Sequence, residues 1–443
     1  MSDTFTPTVD APTPTRAPRR WRAPAMLAPL GQRDYRLLFI GQLISSIGNT
    51  FYSVALPWYM LTQGGGPVNL GLVLTAYGAP LGVTTLLGGW LSDKLRARRV
   101  MMIADAACAI VTGGLAWATF GAHQPLWVIA ALTAAMGAFE GLFAPASQAI
   151  APDLLPDDQL QAANGLFFAL MRLAQMLGPS LAGLVVAQTT ASNGFAIDAV
   201  TFVASVLTLI FIHNRVTFPT TPAAPGADAT TAESTEAAPA EAAADAPPAF
   251  DSLWGYTLAT PFFQILLLVI LVGNLFNGAV MEVAIPALAQ GPLHTNAQGY
   301  GFILTGWGAG ALAGALLASA LGNRINRGFY SLLFFTLQVF AVSALAYATN
   351  TLMAVGCMAT FGLLNSLGNV SFLTLIQRKL PRNLLGRIMG VFTFCNFATL
   401  PLSVAVGGFA TARFGASPVI LGGAAIMLGA MMIAFASREI RTM

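Results

Sequence analysis

About twelve apolar segments, each near 20 residues long and separated by Gly, Pro or charged residues, run from residue 36 to residue 436. An apolar run of about 20 residues crosses a bilayer core of roughly 30 Å as a helix. Only 9% of the residues are charged and 56% are hydrophobic, with a mean hydropathy of +0.69. A water-soluble domain carries about 25% charged residues. The many Gly and Pro residues inside the segments are tolerated in membrane helices. The chain is therefore read as an all-α polytopic membrane protein.

The spans are placed at 36–61, 69–92, 100–120, 126–150, 161–187, 194–213, 262–287, 299–321, 329–348, 352–375, 387–411 and 417–436. Lys and Arg orient them. With the N-terminus inside, the first tail, the 93–99 run, Arg215, Arg324, Arg327, the Arg378–Arg387 segment, Arg438 and Arg441 are all cytoplasmic, and the external connections hold only Arg413. This asymmetry predicts both termini in the cytoplasm of a multi-pass protein of the cell's inner (plasma) membrane. The three cysteines, Cys108, Cys357 and Cys395, lie inside apolar segments and are odd in number, which argues against a disulfide framework or a cysteine metal site. No metal or cofactor is expected.

Composition divides the chain further. Residues 1–34, rich in Pro, Thr and Arg, are expected to be a disordered cytoplasmic tail, and 438–443 a second one. Residues 214–260, rich in Ala, Pro and Thr and acidic, are expected to be a disordered linker between six-helix bundles at 35–213 and 261–437. The bundles repeat. LPDDQLQAANGLF (155–167) aligns with LPRNLLGRIMGVF (380–392), and YGAPLGVTTLLGGWLSDK (77–94) aligns with WGAGALAGALLASALGNR (307–324). Repeats in the same orientation imply a pseudo-twofold axis along the membrane normal and a substrate site between the halves near mid-membrane.

From these residues the chain resembles the major facilitator superfamily, and within it the drug:proton antiporter group with macrolide-efflux and enterobactin-exporter types. Gly89, Leu91, Asp93, Lys94 and Arg98 match the family's G-x-L-a-D-R-x-G-R-K loop motif, with Arg96 in place of the second Gly and Ala97 in place of a basic residue. The resemblance implies a cytoplasmic gate at Gly89, Asp93, Lys94 and Arg98; positive-inside topology alone is the plainer reading of the charges. The antiporter pattern G-x8-G-x3-G-P-x2-G-G falls on Gly165, Ala174, Gly178, Pro179, Ala182 and Gly183. Small residues there let helices approach closely and the Pro bends its helix, which ordinary packing would also use. NGFAIDAVTF (193–202) looks like the family's sixth-helix entry.

Charges inside the spans are Asp105, Glu140, Arg172, Asp198 and Glu282. Each costs roughly 2.5–3.5 kcal/mol on insertion scales and is a functional candidate for that reason. Asp105, Asp198 and Glu282 sit toward span ends, where solvation or helix capping would account for them. Glu140 and Arg172 lie 16 residues on either side of Pro156, so straight antiparallel helices would pair them at mid-membrane. On span 1, Gln42, Ser45, Ser46, Asn49 and Ser53 share a face by their three- and four-residue spacing. They either line a cavity or bind neighbouring helices. Relatives often carry an acid at the slot of Asn49. Asn274 and Glu282 lie about 80° apart by α-helical counting, so both could face a cavity, with Asn277 beside them. Tyr52, Phe143 and Phe276, with Met136, Phe139, Phe167, Met281, Phe392 and Phe397, would suit bulky amphipathic cargo, or simply pack against lipid and helices.

Neither lysine, Lys94 nor Lys379, follows Gly as a phosphate-binding loop requires, so an ATP-driven pump is excluded within this chain. The histidines at 123, 213 and 294 are scattered, and GPSLA (178–182) lacks the closing Gly of a nucleophile elbow, which argues against an intramembrane enzyme. The expectation is a secondary active transporter, a proton-coupled exporter of bulky amphipathic molecules of drug, macrolide or siderophore type. Its partners would be that cargo, protons and the lipid bilayer, with no nucleic acid, and it would act as a monomer. An importer or a lipid or lysolipid transporter of the same fold is the alternative.

Overall fold

The computed structural model describes residues 25–121, 124–213, 260–322, 328–379 and 382–437. The chain folds as α1 (Arg33–Thr62), α2 (Pro67–Leu95), α3 (Ala97–Thr119), α4 (Leu126–Ala149), α5 (Asp157–Gln188) and α6 (Ala191–Ile210). A second series follows, beginning with α7, which runs as Pro261–Asn277, a π-helical turn Gly278–Ala284 and Ile285–Gln290. Then come α8 (Ala297–Leu321), α9 (Gly328–Leu345), α10 (Thr351–Lys379), α11 (Arg382–Phe414) and α12 (Ala416–Ala436). Eleven of these are long and apolar enough to cross a membrane among the described residues, and α11 is the twelfth crossing. No strand occurs among the described residues.

The helices overrun the apolar windows because their first turns are polar. Asp157 and Asp158 open α5, where carboxylates favour the helix N-terminus, and Arg33 and Asp34 open α1. Part of the segment expected as a tail over 1–34 is helical among the described residues. Ala25–Gly31 forms a 3-10 helix, and Leu30 packs on the apolar cluster of Tyr35, Leu38 and Leu166. The linker residues 214–259 and the tail residues 1–24 and 438–443 lie outside the described residues.

Each half packs by the same rule. In the first, α2 lies on α4, and α1 lies on α5 and α6; in the second, α8 lies on α10, and α7 lies on α11 and α12. The halves meet where α5 packs on α8 and α2 on α11.

These two contacts are copies of one another. A shift of 230 positions carries Gly71 onto Gly301 and Gly78 onto Gly308, the register of the second sequence match. A shift of 225 carries Gly183 onto Gly408, the register of the first. The structure pairs them crosswise. A methyl group on Gly71 would stand 2.6 Å from the Val404 carbonyl oxygen and 3.0 Å from the Gly408 Cα; on Gly183 it would stand 2.6 Å from the Ala297 oxygen and 3.0 Å from the Gly301 Cα. Gly78 approaches Leu400 and Pro401, while Gly308 approaches Gln175 and Met176. Backbones meet this closely only where side chains are missing, so glycines at equivalent depths build both seams. The pseudo-twofold relation legible in the sequence is thus realised atom against atom.

Successive helices reverse, which collects the turns 63–66, 189–190 and 291–296 at one end of the bundle, here the turn end. Ala25–Gly31, Arg96 and Ala151–Leu154 collect at the other, the tail end. The glycine seams run inward from the turn end. Trp58 of α1 stacks on Tyr300 of α8 at the same end, with centroids 6.5 Å apart.

Candidate functional site

The interior of the first half holds three of the five predicted charges, none of them in an ion pair among the described residues. Glu140, in the middle of α4, accepts a hydrogen bond from the Tyr77 hydroxyl of α2, and both side chains are half-buried. Gly137, one turn before Glu140, lies directly on the Tyr77 carbonyl, so the absence of a side chain there brings α4 against α2 and the carboxylate within reach of the phenol. Tyr52 of α1 packs on Tyr77 and on Phe195 of α6, with centroids 6.1 and 6.0 Å apart. It is a buried core ring, not an open pocket wall.

Asp105 and Asp198 depart from the expectation of solvated or capping groups. They are 1% and 0% exposed. Asp105 of α3 accepts from the Ser205 hydroxyl of α6 at 2.6 Å. Asp198 lies where α6 crosses Gly48 of α1, a methyl on which would stand 2.8 Å from the Asp198 Oδ1. Among the described residues neither carboxylate oxygen has a hydrogen-bond partner, and the nearby Thr201 hydroxyl donates to the Asp198 backbone carbonyl at 2.8 Å. Counting residues from span ends misplaced these groups: depth along a helix says nothing about which face is buried.

The expected Glu140–Arg172 pair is not formed. The Arg172 Nη1 donates to the Gln175 Oε1 at 3.0 Å, one turn along α5. The pairing argument assumed that consecutive helices are neighbours. Here α4 packs on α2 and α3, while α5 turns away through Ala151–Leu154 to pack on α1 and α8.

On α1, Gln42 and Ser45 are buried and Ser46 and Asn49 half-buried, while Ser53 is exposed. Gln42, Tyr35, Phe39, Asn164 and Phe167 line a cleft at the tail end. Phe143 packs beside it, on the tail-end cluster that includes Val100 and Met101. In the second half, the π-helical turn spoils the straight α-helical count from Asn274 to Glu282. Glu282 and Asn277 are exposed and Asn274 is half-buried. Ser403 of α11 donates to the Leu275 carbonyl just before the widened turn; such turns are frequent at functional sites. Phe276 is buried against Gly423 of α12, and Met136 is fully buried. The side chains of Phe392 and Phe397 lie outside those described.

The loop motif keeps its shape despite its departure. Arg96, standing where the family pattern has Gly, links α2 to α3 with a φ of 68°, the left-handed region that favours glycine. Arg98 donates from Nε to the Leu209 carbonyl at 2.8 Å and from Nη2 to the Ile210 carbonyl at 2.9 Å. It thereby caps carbonyls at the negative end of α6. The Lys94 ammonium sits 3.9 Å from the centre of the Trp90 ring. The Asp93 side chain lies outside those described. A methyl on Gly89 or Gly165 would meet nothing within 4 Å, so neither glycine is a packing position. Gly178 does pack, against Thr50 of α1. Pro179 has no N–H to offer the Gln175 carbonyl, and that freed carbonyl faces Gly308 of α8. The antiporter-like segment therefore forms one of the two seams between the halves.

Sequence reading missed Tyr77, Ser205 and Gln175, the partners of Glu140, Asp105 and Arg172. An isolated hydroxyl or amide in an apolar span carries little hydropathy signal; only charges and repeated polar positions, such as the stripe from Gln42 to Ser53, stood out.

A two-half bundle with paired glycine seams and charges turned inward is the architecture of a secondary transporter. The family model for the Major Facilitator Superfamily matches residues 38–402, and the chain belongs to that family. Among curated proteins it is 25% identical to the enterobactin exporter EntS of Citrobacter koseri over 406 residues, 92% of this chain and 88% of that protein. It is likewise 25% identical to the EntS of Escherichia coli O1:K1 / APEC over 362 residues, 82% of this chain and 81% of that one. The fold matches the nucleoside transporter NupG with a TM-score of 0.67 at 14% identity, covering 91% of this chain and 98% of that one. It matches a D-xylose-proton symporter with a TM-score of 0.61 at 15% identity, covering 92% and 96%.

Proposed function

We propose that the protein exports bulky amphipathic molecules of siderophore-like chemistry by alternating access, driven by protons entering in exchange. The observation that carries this reading is the pair of symmetric glycine seams closing a polar interior from one end only. The names of the curated relatives favour export and a siderophore-like cargo. Glu140 with Tyr77 is the coupling site in this reading, and Glu282 faces it from the second half. Protons enter there as the cavity changes sides. The Asp93–Arg98 run acts as the gate at the tail end, and the six-helix halves over 35–213 and 261–437 rock as units about the seams. The protein works as a monomer in the inner membrane with both termini cytoplasmic, which makes the tail end cytoplasmic and the captured state open inward.

Everted vesicles from a pump-deficient host test direction and coupling together. With an acidic lumen they are expected to accumulate labelled enterobactin, and nigericin, which collapses the pH gradient, should abolish that uptake. Release from the lumen in place of uptake would make the protein an importer; no movement above empty membranes would reject this cargo class.

Orientation has its own check. Single cysteines at Ala229 and at Pro292, an exposed residue of the 291–296 turn, in a cysteine-free background are expected to react with impermeant reagents from opposite sides, Pro292→Cys alone in intact cells. Labelling of Ala229→Cys from outside would reverse the assignment.

A further inference from the structure

We propose that Arg172 is a substrate-binding residue that holds an anionic group, a sulfonate, carboxylate or catecholate, of the exported molecule. This rests on the exporter reading above and names the charge of the cargo in that same cavity. Among the described residues Arg172 is the one cationic side chain more than two helical turns from a helix end. A charge at that depth needs a carboxylate, or water from a cavity, around it. Among the described residues no carboxylate, Glu282 included, forms an ion pair with it. Glu140 is engaged by Tyr77 and Asp105 by Ser205, and Asp198 is buried on the far side of α1 from α5, between α1 and α6. Among the described residues the guanidinium's only hydrogen bond goes to the neutral Gln175 amide.

The pattern along α5 says where the group faces. Gln161, Asn164, Phe168, Arg172 and Gln175 recur at three- and four-residue spacing, so they form one stripe. Leu173, Leu177 and Leu181, 42 to 48% exposed, form another stripe that offers only hydrocarbon to the bilayer. Asn164 lines the tail-end cleft together with Gln42, which places the polar stripe on the interior side. Arg172 is half-buried, and it stands just below the point where Gln175 meets Gly308 of the opposite half. An unspent guanidinium at the junction of the two halves offers planar, forked donors to an oxyanion, and closing the halves around that pair would tighten it.

The test uses a matched pair of fluorescent aromatic probes, anilinonaphthalene sulfonate and phenylnaphthylamine, which differ by the sulfonate. Purified wild-type protein in nanodiscs is expected to bind the sulfonate more tightly than the neutral probe. Arg172→Gln should weaken sulfonate binding about tenfold, the worth of a charge-assisted hydrogen bond, while leaving the neutral probe unchanged. Arg172→Lys should recover part of the loss, which a purely structural role would not produce. An absent sulfonate preference in the wild-type protein, or equal losses for both probes in Arg172→Gln, would overturn the inference. Energised uptake of both probes in everted vesicles separates the two readings. Anion-selective binding without uptake would refute the exporter and leave the anion site standing. Uptake indifferent to Arg172→Gln would refute the site and leave the exporter.

Discussion

Gly301→Leu is expected to give a folded, membrane-inserted protein whose transport falls at least tenfold. The glycine lies on the α5–α8 seam, where an added methyl would press onto the Pro179 carbonyl and stand 3.1 Å from the Gly183 Cα. Those are atoms of the other half and of its backbone, which cannot rotate aside. Overpacking of a tight contact costs about 1–3 kcal/mol, and each 1.4 kcal/mol is tenfold in an equilibrium. The whole cost falls on the state closed at the turn end, so the protein should be held open there. Spin labels at Gln63 and Gln290, the exposed ends of α1 and α7, should move apart relative to wild type. Gly408→Leu, its counterpart on the α2–α11 seam, should do the same. A contrast comes from Gly310, which lies on the Ala359 backbone of its own half, 2.9 Å from the Ala359 Cα by the same construction. Gly310→Leu should lose folded protein altogether. If Gly301→Leu transports normally, or fails to fold as Gly310→Leu does, the seams are not the moving contacts.

Glu140→Gln is expected to abolish concentrative export while leaving protein that folds, binds cargo and exchanges it across the membrane. Glutamine keeps the shape and an acceptor for the Tyr77 hydroxyl, so packing between α2 and α4 is retained. Arg172 is not its partner, so no buried cation is orphaned by the change. What disappears is the ability to carry a proton, and alternating access to water is the condition under which an intramembrane carboxyl group loads and releases one. The loss should exceed tenfold under a pH gradient and vanish in an equilibrium-exchange assay. Tyr77→Phe, which removes the hydrogen bond but not the acid, should shift the pH profile and retain transport. Export by Glu140→Gln that still follows the pH gradient would remove this residue from the coupling step and turn attention to Glu282.

Much of the architecture was legible in residue order because a membrane span is a local property. Length and hydropathy place each helix without knowledge of its neighbours, and the short matches at 155–167 and 77–94 already contained the registers that make Gly71 equivalent to Gly301 and Gly183 equivalent to Gly408. Side-chain partnership is not local. The distance of Glu140 and Arg172 from Pro156 was symmetric, yet α4 and α5 diverge, and nothing in their sequence announces that α5 belongs beside α1 and α8. Asp105 and Asp198 show the same limit: their positions along the helix were right and their surroundings were not. The π-helical turn at Gly278–Ala284, beside which Ser403 of another helix donates to the Leu275 carbonyl, left no mark in the α-helical spacing. Arg96 is the opposite case. It stands where the family pattern has Gly, and the backbone there holds a glycine-like φ of 68° regardless.

Coupling between cargo and protons is the claim on which the rest depends, and one reconstitution tests it. Purified protein is placed in liposomes enclosing a pH indicator, with no pH gradient, and an outward gradient of anilinonaphthalene sulfonate is imposed. The account predicts that the interior acidifies as the anion leaves, that the signal follows the protein, and that Glu140→Gln abolishes it while the anion still equilibrates. Anion movement through the wild-type protein with the interior pH unchanged would contradict proton exchange.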